Sequence, residues 1–265
     1  MAIEVMRDPR LKSVEWRDLC TLTRADVVDE LFISTPWLML SFVLAYYQQY
    51  FFALGASFMF FLCGLRQVHN AYHYAVGLSR AGHEWLMFIL SIVMLGSMHA
   101  VQFNHLRHHR HCLEEEDVEA ASAKMPWWKA LLFGPIFPVL LHKTALTKGS
   151  KRIKRWVYAE LLANVIWIGL VMFVFNNEVL MYHVIVMFIA QCLTAFFAVW
   201  TVHHDCDFEQ EIGRTIRNKF KSVISYNMFF HVEHHLFPTV PTRKLHILAL
   251  RLDKVTPDLT KRMVF

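Results

Sequence analysis

The hydrophobic residues of this chain lie in long uninterrupted runs, not in the short periodic segments of a soluble domain. Three runs contain no Asp, Glu, Lys or Arg, and they cover residues 33–65, 161–177 and 179–204. A helix needs about 20 mainly apolar residues to cross a bilayer core of about 30 Å. We therefore predict membrane spans over residues 156–175 and 180–202, joined as a hairpin by a polar turn.

The first of these runs is too long for one span and short for two. Its middle, residues 46–50, is polar and aromatic, which suits a membrane–water interface. Pro36 follows Thr35 at the expected first turn of a helix, a position that favours proline. These features predict a second hairpin, with spans over about 35–47 and 51–68.

Two shorter apolar segments, residues 85–98 and 126–141, have a different character. The first is short for a span, so we interpret it as interfacial or re-entrant. The second has Trp127 and Trp128 at its start and is expected to lie on the membrane surface. Since no internal repeat or soluble second domain is apparent, we interpret residues 1–265 as one all-α polytopic membrane domain with four spans.

The distribution of charge predicts the orientation of this domain. Hydrophobic residues make up 55% of the chain and charged residues only 18%, which indicates a membrane protein. All 27 Lys and Arg residues fall within 7–24, 66–155 and 214–262. Two hairpins place these segments on one side of the membrane, and an excess of Lys and Arg marks the cytoplasmic side. Both termini and residues 66–155 are therefore expected in the cytoplasm.

The chain has 16 histidines, and most of them fall into close groups. Residues three or four apart share one face of a helix, so HxxxH and HxxHH direct two or three imidazoles toward one point. Neutral imidazole is a ligand for iron, zinc and copper. The three boxes, together with one ligand from the adjacent pair at residues 203–204, give eight or nine such ligands, which are too many for one ion and suit two. The groups are His69 and His73; His105, His108 and His109; His203 and His204; and His231, His234 and His235.

The predicted topology brings these groups to the same side of the membrane. The first pair follows the second span, and His203 and His204 end the fourth. If residues 85–98 crossed the bilayer, the first two groups would lie on opposite faces, so a single site requires the re-entrant interpretation. The remaining histidines are expected to be structural or solvated; they are His83, His99, His111, His142, His183 and His246.

The ligand types narrow the identity of the metal. The cysteines are not clustered, which argues against iron–sulfur and structural zinc sites. Imidazole ligation alone leaves iron, zinc and copper open. Iron best fits a paired site at the surface of a membrane, in a chain with 13 Met and 22 Phe, for redox chemistry on an apolar substrate.

The three boxes HNAYH, HLRHH and HVEHH resemble those of the integral-membrane fatty acid desaturase superfamily, which also contains hydroxylases and carotenoid ketolases. Residues 227–241, NMFFHVEHHLFPTVP, resemble a signature of bacterial members. The likeness covers residues 33–252 in the order of both spans and boxes. It implies a four-span protein with a cytosolic helical cap that holds two irons, and O₂ as co-substrate.

The resemblance also implies a set of site residues. A further ligand follows the fourth span and is His203 or His204; we prefer His203, because a bacterial pattern has His three residues before Cys, as with Cys206. Asn227 and Glu233 are expected to orient ligands by hydrogen bonds, and Asp117 and Glu119 are further candidates unless they belong to a solvated acidic run. The implied ligands are His69, His73, His105, His108, His109, His203, His231, His234 and His235.

The chain departs from the family pattern in its first box. Asn70 occupies a place where an acidic residue often follows the first histidine. No fused cytochrome b5 or ferredoxin domain is recognised, so the electrons are expected from a separate donor of ferredoxin or cytochrome b5 type with its reductase. The expected substrate is a lipid or acyl chain in a bacterial inner membrane, and no nucleic-acid partner is expected.

Three functions remain open from the sequence. A fatty acyl desaturase is favoured, and a di-iron hydroxylase or ketolase of a lipid or carotenoid is the alternative. A non-enzymatic metal-binding membrane protein, such as a transporter, is the third. A transporter would place its ionisable ligands inside the spans, whereas these histidines, apart from His183, lie at span ends or outside them.

Overall fold

The computed structural model describes residues 4–206, 211–257 and 262–264. This part of the chain is mainly helical, which confirms the all-α prediction; strand is confined within it to a parallel pairing of β1 (Arg214–Thr215) with β2 (Arg262–Met263). Its α-helices are α1 (Arg24–Phe32), α2 (Thr35–Tyr46), α3 (Tyr50–Tyr72), α4 (Arg80–Met94), α5 (Met98–His111), α6 (Trp127–Phe133), α7 (Ile136–Lys148), α8 (Lys151–Leu170), α9 (Glu178–Thr194), α10 (Thr201–His203), α11 (Lys219–Ile224), α12 (His231–Leu236) and α13 (Leu245–Val255).

Four helical segments of the described chain are long and apolar enough to cross a membrane, as predicted; they are Arg24–Tyr46, Tyr50–Tyr72, Lys151–Phe175 and Glu178–His203. The first of these segments contains both α1 and α2, and α2 itself begins at Thr35. Thr23 and Asp26 form a reciprocal capping box at the start of α1. π-helical turns continue α8 through Val171–Phe175 and α9 through Ala195–Trp200.

Small polar residues join the first hairpin to the fourth span. The hydroxyls of Ser41 in α2 and Ser57 in α3 are 2.7 Å apart, and the Ser57 hydroxyl lies 3.0 Å from the Tyr182 hydroxyl of α9. Small side chains let helices approach closely in an apolar environment, where interhelical hydrogen bonds take the place of a hydrophobic driving force. These contacts set α3 and α9 side by side, and the two spans to which these helices belong end at the histidine groups.

The two shorter apolar segments are bent helix pairs. The chain turns by 114° between α4 and α5 and by 60° between α6 and α7. Leu95 ends α4 in the left-handed conformation, with φ 54°, and the Ser97 side chain caps the start of α5. Such a reversal suits a re-entrant or interfacial segment, although each pair also has the length of a broken span, so the interfacial placement stays a prediction.

A buried polar cluster fixes the bend between α4 and α5 against α8. Glu160 accepts a 2.5 Å hydrogen bond from the Ser97 hydroxyl and lies 2.6 Å from His99 Nδ1. His99 Nε2 lies 3.1 Å from Glu84, which pairs with Arg152. A buried charge is stable only when it is paired and hydrogen-bonded. His99 therefore has the structural role expected for an unclustered histidine.

A second buried network joins the first box to the segment after the third box. Asn70 donates to Glu30 of α1 at 2.9 Å, and Thr242 donates to the Asn70 side chain from both its backbone N–H and its hydroxyl. Arg66 donates to the same Glu30 carboxylate at 2.5 Å. The first box has no acidic residue of its own. Glu30 of α1 provides one, and its hydrogen bond with Asn70 joins it to the box.

Candidate metal centre

The first histidine group forms where the end of α3 meets α5 and α12. The ligand atoms of four of its members, His69, His73, His105 and His234, all lie within 4.8 Å of one another. His105 Nε2 is 3.0 Å from His73 Nε2. His109, one helical turn after His105, adds a fifth ring, with its Nε2 3.1 Å from His105 Nε2 and 2.9 Å from His234 Nε2.

The second group contains His108, His203, His231 and His235, again with ligand atoms within 4.8 Å of one another. The Nε2 atom of His231 lies 2.8 Å from that of His203 and 3.1 Å from that of His235. The Nε2 atoms of His235 and His108 are 3.2 Å apart. α5, α10 and α12 therefore each supply at least one imidazole.

The two groups are neighbours, and together they contain all nine histidines that the sequence singled out. The ring centroids of His109 and His235, one from each group, are 4.5 Å apart. His204 lies outside both groups: its ring stacks on Trp200 at 3.9 Å, and its Nδ1 is 2.8 Å from the Trp200 carbonyl oxygen. The structure thus places His203, and not His204, among the clustered rings; whether it binds a metal stays a prediction.

The short contacts between these rings suit the ligand atoms of a metal site better than a set of ordinary hydrogen bonds. A neutral imidazole has one N–H and one lone pair, so it cannot donate to several rings through the same nitrogen. His109 Nε2 nevertheless lies within 3.1 Å of two other imidazole nitrogens. Nitrogens bound to one metal at about 2.1 Å are about 3.0–3.4 Å from each other. The separations of 2.8–3.2 Å in both groups are close to this spacing.

Residues 34–264 match the model of the fatty acid desaturase family. The chain belongs to the fatty acid desaturase family. No curated protein and no solved structure matches the chain. The family match confirms the resemblance that the three boxes predicted, and it points to a desaturase-like oxidoreductase.

Burial favours the metal-binding form of four imidazoles in this desaturase-family protein. Removal from water holds the pKa values of His73, His231, His234 and His235 well below the usual value, and neighbouring histidines lower them further. A metal ligand must be the unprotonated imidazole. These rings are therefore neutral at physiological pH, each with a lone pair available for a ligand bond.

Two carboxylates after the second box orient histidines of that box. Asp117 lies 2.7 Å from His108 Nδ1 and also accepts hydrogen bonds from the backbone N–H groups of Leu113 and Ala120. Glu119 lies 2.7 Å from His105 Nδ1, and burial raises the pKa of Glu119 to about 8. A partner on Nδ1 fixes the ring orientation and leaves Nε2 for a metal.

Asp117→Asn should therefore weaken metal binding without unfolding the protein. We expect a loss of about 10–100-fold in metal affinity or activity, the usual result of removing such a partner of a ligating histidine. Iron retention against a competing chelator, measured per folded chain, checks this. Glu116→Gln is the matched control, since the Glu116 side chain is 68% exposed and pairs with Arg107. Equal iron retention in both variants would contradict the role of Asp117.

The other two candidates for orienting ligands have different surroundings. Glu233 is fully buried, accepts a 2.8 Å hydrogen bond from the Thr215 hydroxyl and pairs with Arg217. These contacts tie α12 to β1. Asn227 sits in the turn before α12 with φ 59°, where its N–H donates to the Ser222 carbonyl. Both residues thus shape the segment that carries the third box.

One buried residue near the second group had little signal in the sequence. The Cys112 sulfur lies 4.0 Å from His108 Nε2, and Cys112, His108 and Asp117 form a third compact set of possible ligands. This set shares His108 with the second group. Asp117 lies on the Nδ1 side of His108, so it leaves His108 Nε2 directed toward the other rings of the second group. The spacing of four residues between His108 and Cys112 was the available clue.

A cavity of about 90 Å³ lies directly against both histidine groups. Its wall includes His69 and His105 of the first group and His203 and His231 of the second. Most of the rest of the wall is apolar. It includes Val68 of α3 and side chains from α5, α7 and the fourth span, among them Val101, Phe137, Leu141, Val199 and Val202. Its mainly apolar wall suits part of an apolar chain beside the rings.

Proposed function

We propose that this protein is a di-iron, O₂-dependent oxidoreductase that introduces a double bond into a fatty acyl chain. The observation that carries the proposal is the pair of adjacent histidine groups at the wall of an apolar cavity. In this proposal His69, His73, His105, His109 and His234 hold one iron, and His108, His203, His231 and His235 hold the other.

Iron bound at these histidines would supply the oxidising power for removal of hydrogen from an unactivated methylene. The reaction converts –CH₂–CH₂–, O₂, two electrons and two protons into –CH=CH– and two molecules of water. The protein chain contributes position, because the cavity walls around Val68, Val101 and Leu141 can hold one stretch of an alkyl chain beside the rings. No side chain is required to act as a general base.

The proposed reaction also requires a location in the membrane and a source of electrons. The one-sided distribution of Lys and Arg supports a site on the cytoplasmic face of the membrane, within a helical cap above the four spans. A separate ferredoxin or cytochrome b5 type protein with its reductase would supply the two electrons.

The test combines product and metal analysis of the same preparation. Membranes that contain the full-length protein are supplied with O₂ and a reduced donor system, and their lipids are profiled by mass spectrometry. We expect acyl chains with one double bond more, together with about two irons per folded chain, as suits two imidazole-rich sites.

Several outcomes would decide against the proposal. A mass gain of one oxygen in place of the alkene would assign a hydroxylase or ketolase activity. Stoichiometric zinc in protein produced with ample iron, together with no product, would favour a non-enzymatic metal-binding protein. A variant with His69 and His234 both replaced by Ala provides the background for lipids formed by other enzymes.

A further inference from the structure

A second apolar space, a groove of about 600 Å³, lies beside the cavity and away from the histidines. It runs between α3, the fourth span and α11. Its outer walls are side chains that the two spans expose to lipid, including Phe58 on α3, which is 49% exposed, and Ile189 on α9, which is 51% exposed. Since these walls belong to candidate spans, this side of the groove is one that lipid chains would contact.

The groove and the cavity share part of their walls. Leu65, Thr194, Met228 and Phe229 line both spaces, so these four side chains stand between the bilayer and the histidine groups. Leu65 is one helical turn before His69, and Met228 precedes the third box. A chain that entered the groove and passed these side chains would arrive beside both groups of rings.

The rim of the groove is suited to the surface of a membrane. α11 exposes Phe220 and Val223, at 73% and 72%, although it lies outside the four spans. A short helix that exposes large apolar side chains fits the interface between headgroups and acyl chains. Lys221 of this helix also lines the groove and is the only charged residue among the described residues that do so.

We propose that the groove is a lateral entrance for one acyl chain of an intact anionic glycerophospholipid. This inference rests on the proposed function and names its substrate class. The acyl chain lies in the groove and passes Leu65 and Met228 into the cavity, while the phosphate stays at the interface beside Lys221. A Lys near an anionic membrane surface strengthens binding to that surface about fivefold. An acyl group on a water-soluble carrier would need an entrance from water instead.

The experiment measures entry without requiring turnover. The full-length protein is reconstituted in bilayer nanodiscs with traces of phosphatidylglycerol that carries a diazirine on one acyl chain. After irradiation, labelled residues are mapped by mass spectrometry. We expect labels on Leu65 or Met228, and a decrease of at least about tenfold in Ala190→Phe, since a large side chain fills the groove. The control Ala159→Phe, at an exposed position of α8 outside the groove, should label normally.

Charge provides a second pair of variants that does not depend on packing. Lys221→Gln should reduce the preference for phosphatidylglycerol over phosphatidylcholine probes by about fivefold. Lys219→Gln, on the same helix but outside the groove, should reduce it by less, so the difference between the two variants measures the contribution made at the groove. An unchanged preference in Lys221→Gln would remove the anionic headgroup from the proposal.

The remaining outcomes separate this inference from the proposed function. Labels confined to outer positions such as Phe58 and Ile189 would indicate a structural lipid and overturn lateral entry. Stronger labelling of the cavity by a free fatty acid or an acyl thioester probe would overturn the substrate class. Alkene formation from an acyl thioester without phospholipid labelling would sustain the proposed function while ending this inference. Labelling as expected with no oxidised product would sustain lateral entry of the phospholipid while contradicting the proposed function.

Discussion

His108→Ala and His234→Ala should each abolish turnover while the protein still inserts into the membrane. Each removes one ring from a different histidine group, and each ring contacts other imidazoles through Nε2. The proposed reaction needs both metal positions. Replacement of either histidine should therefore reduce activity by more than the roughly 10–100-fold that is usual when a hydrogen-bond partner of a ligand is removed. Product per mole of folded protein is the measurement, with iron content determined on the same sample.

The control for these variants is His246→Ala, because His246 is exposed on α13 and belongs to neither group. It should retain near-normal product and iron. His142 would be a poor control, since it lines the cavity and its Nε2 accepts a hydrogen bond from the backbone of Ser97. Normal activity in both His108→Ala and His234→Ala would end the di-iron proposal.

His203→Ala and His204→Ala should differ sharply although the two residues are adjacent. The His203 side chain is buried, and its Nε2 lies 2.8 Å from that of His231, inside the second group. His204 points away from the group and stacks on Trp200. We expect His203→Ala to lose iron and to lose more than about 100-fold in activity, since removal of a ligand should cost more than removal of a residue that only orients a ligand. His204→Ala should keep both iron and activity within a few-fold.

This comparison is informative because both variants remove the same chemical group from the same turn. The two purified proteins are compared for iron per chain, product and thermal unfolding. A loss of function without a loss of iron in His203→Ala would assign it a role in the cavity wall. The reverse result, with His204→Ala inactive and His203→Ala active, would contradict the geometry of the second group.

The inactive variants also bear on the lateral entrance. The groove is separated from the rings by Leu65, Thr194, Met228 and Phe229, so removal of a ring leaves the groove wall intact. His108→Ala should therefore still take up the photoactivatable phospholipid while forming no product. Entry and oxidation then become separate measurements on one protein.

The sequence by itself determined the helical class and the four candidate spans, because a bilayer core requires long runs without charge. The helix before the first span, α1, was not predicted, because the capping box at Thr23 and Asp26 begins it within a charged segment. The histidine boxes could be predicted for a related reason. Residues three or four apart face the same way on any helix, so each box implies a local cluster before its neighbours are known.

The division of the boxes into two groups was decided only by tertiary structure. His108 and His109 are consecutive, but successive helical residues point about 100° apart, so they fall in different groups. His234 and His235 separate in the same way. Which side of α5 faces which side of α12 depends on how the helices pack, and the spacing within a box contains no information about that packing.

The supports of the candidate site also depend on contacts between distant segments. Glu30 reaches the first box through Asn70, and Thr242 joins the same network from the far end of the chain. Asp117 could equally have been a solvated residue until the fold placed it on His108 Nδ1. The sequence determined which side chains could bind metals, because ligand chemistry and helical periodicity are local. The packing of helices decided which of them meet, because burial and hydrogen bonding between remote segments are properties of the folded chain.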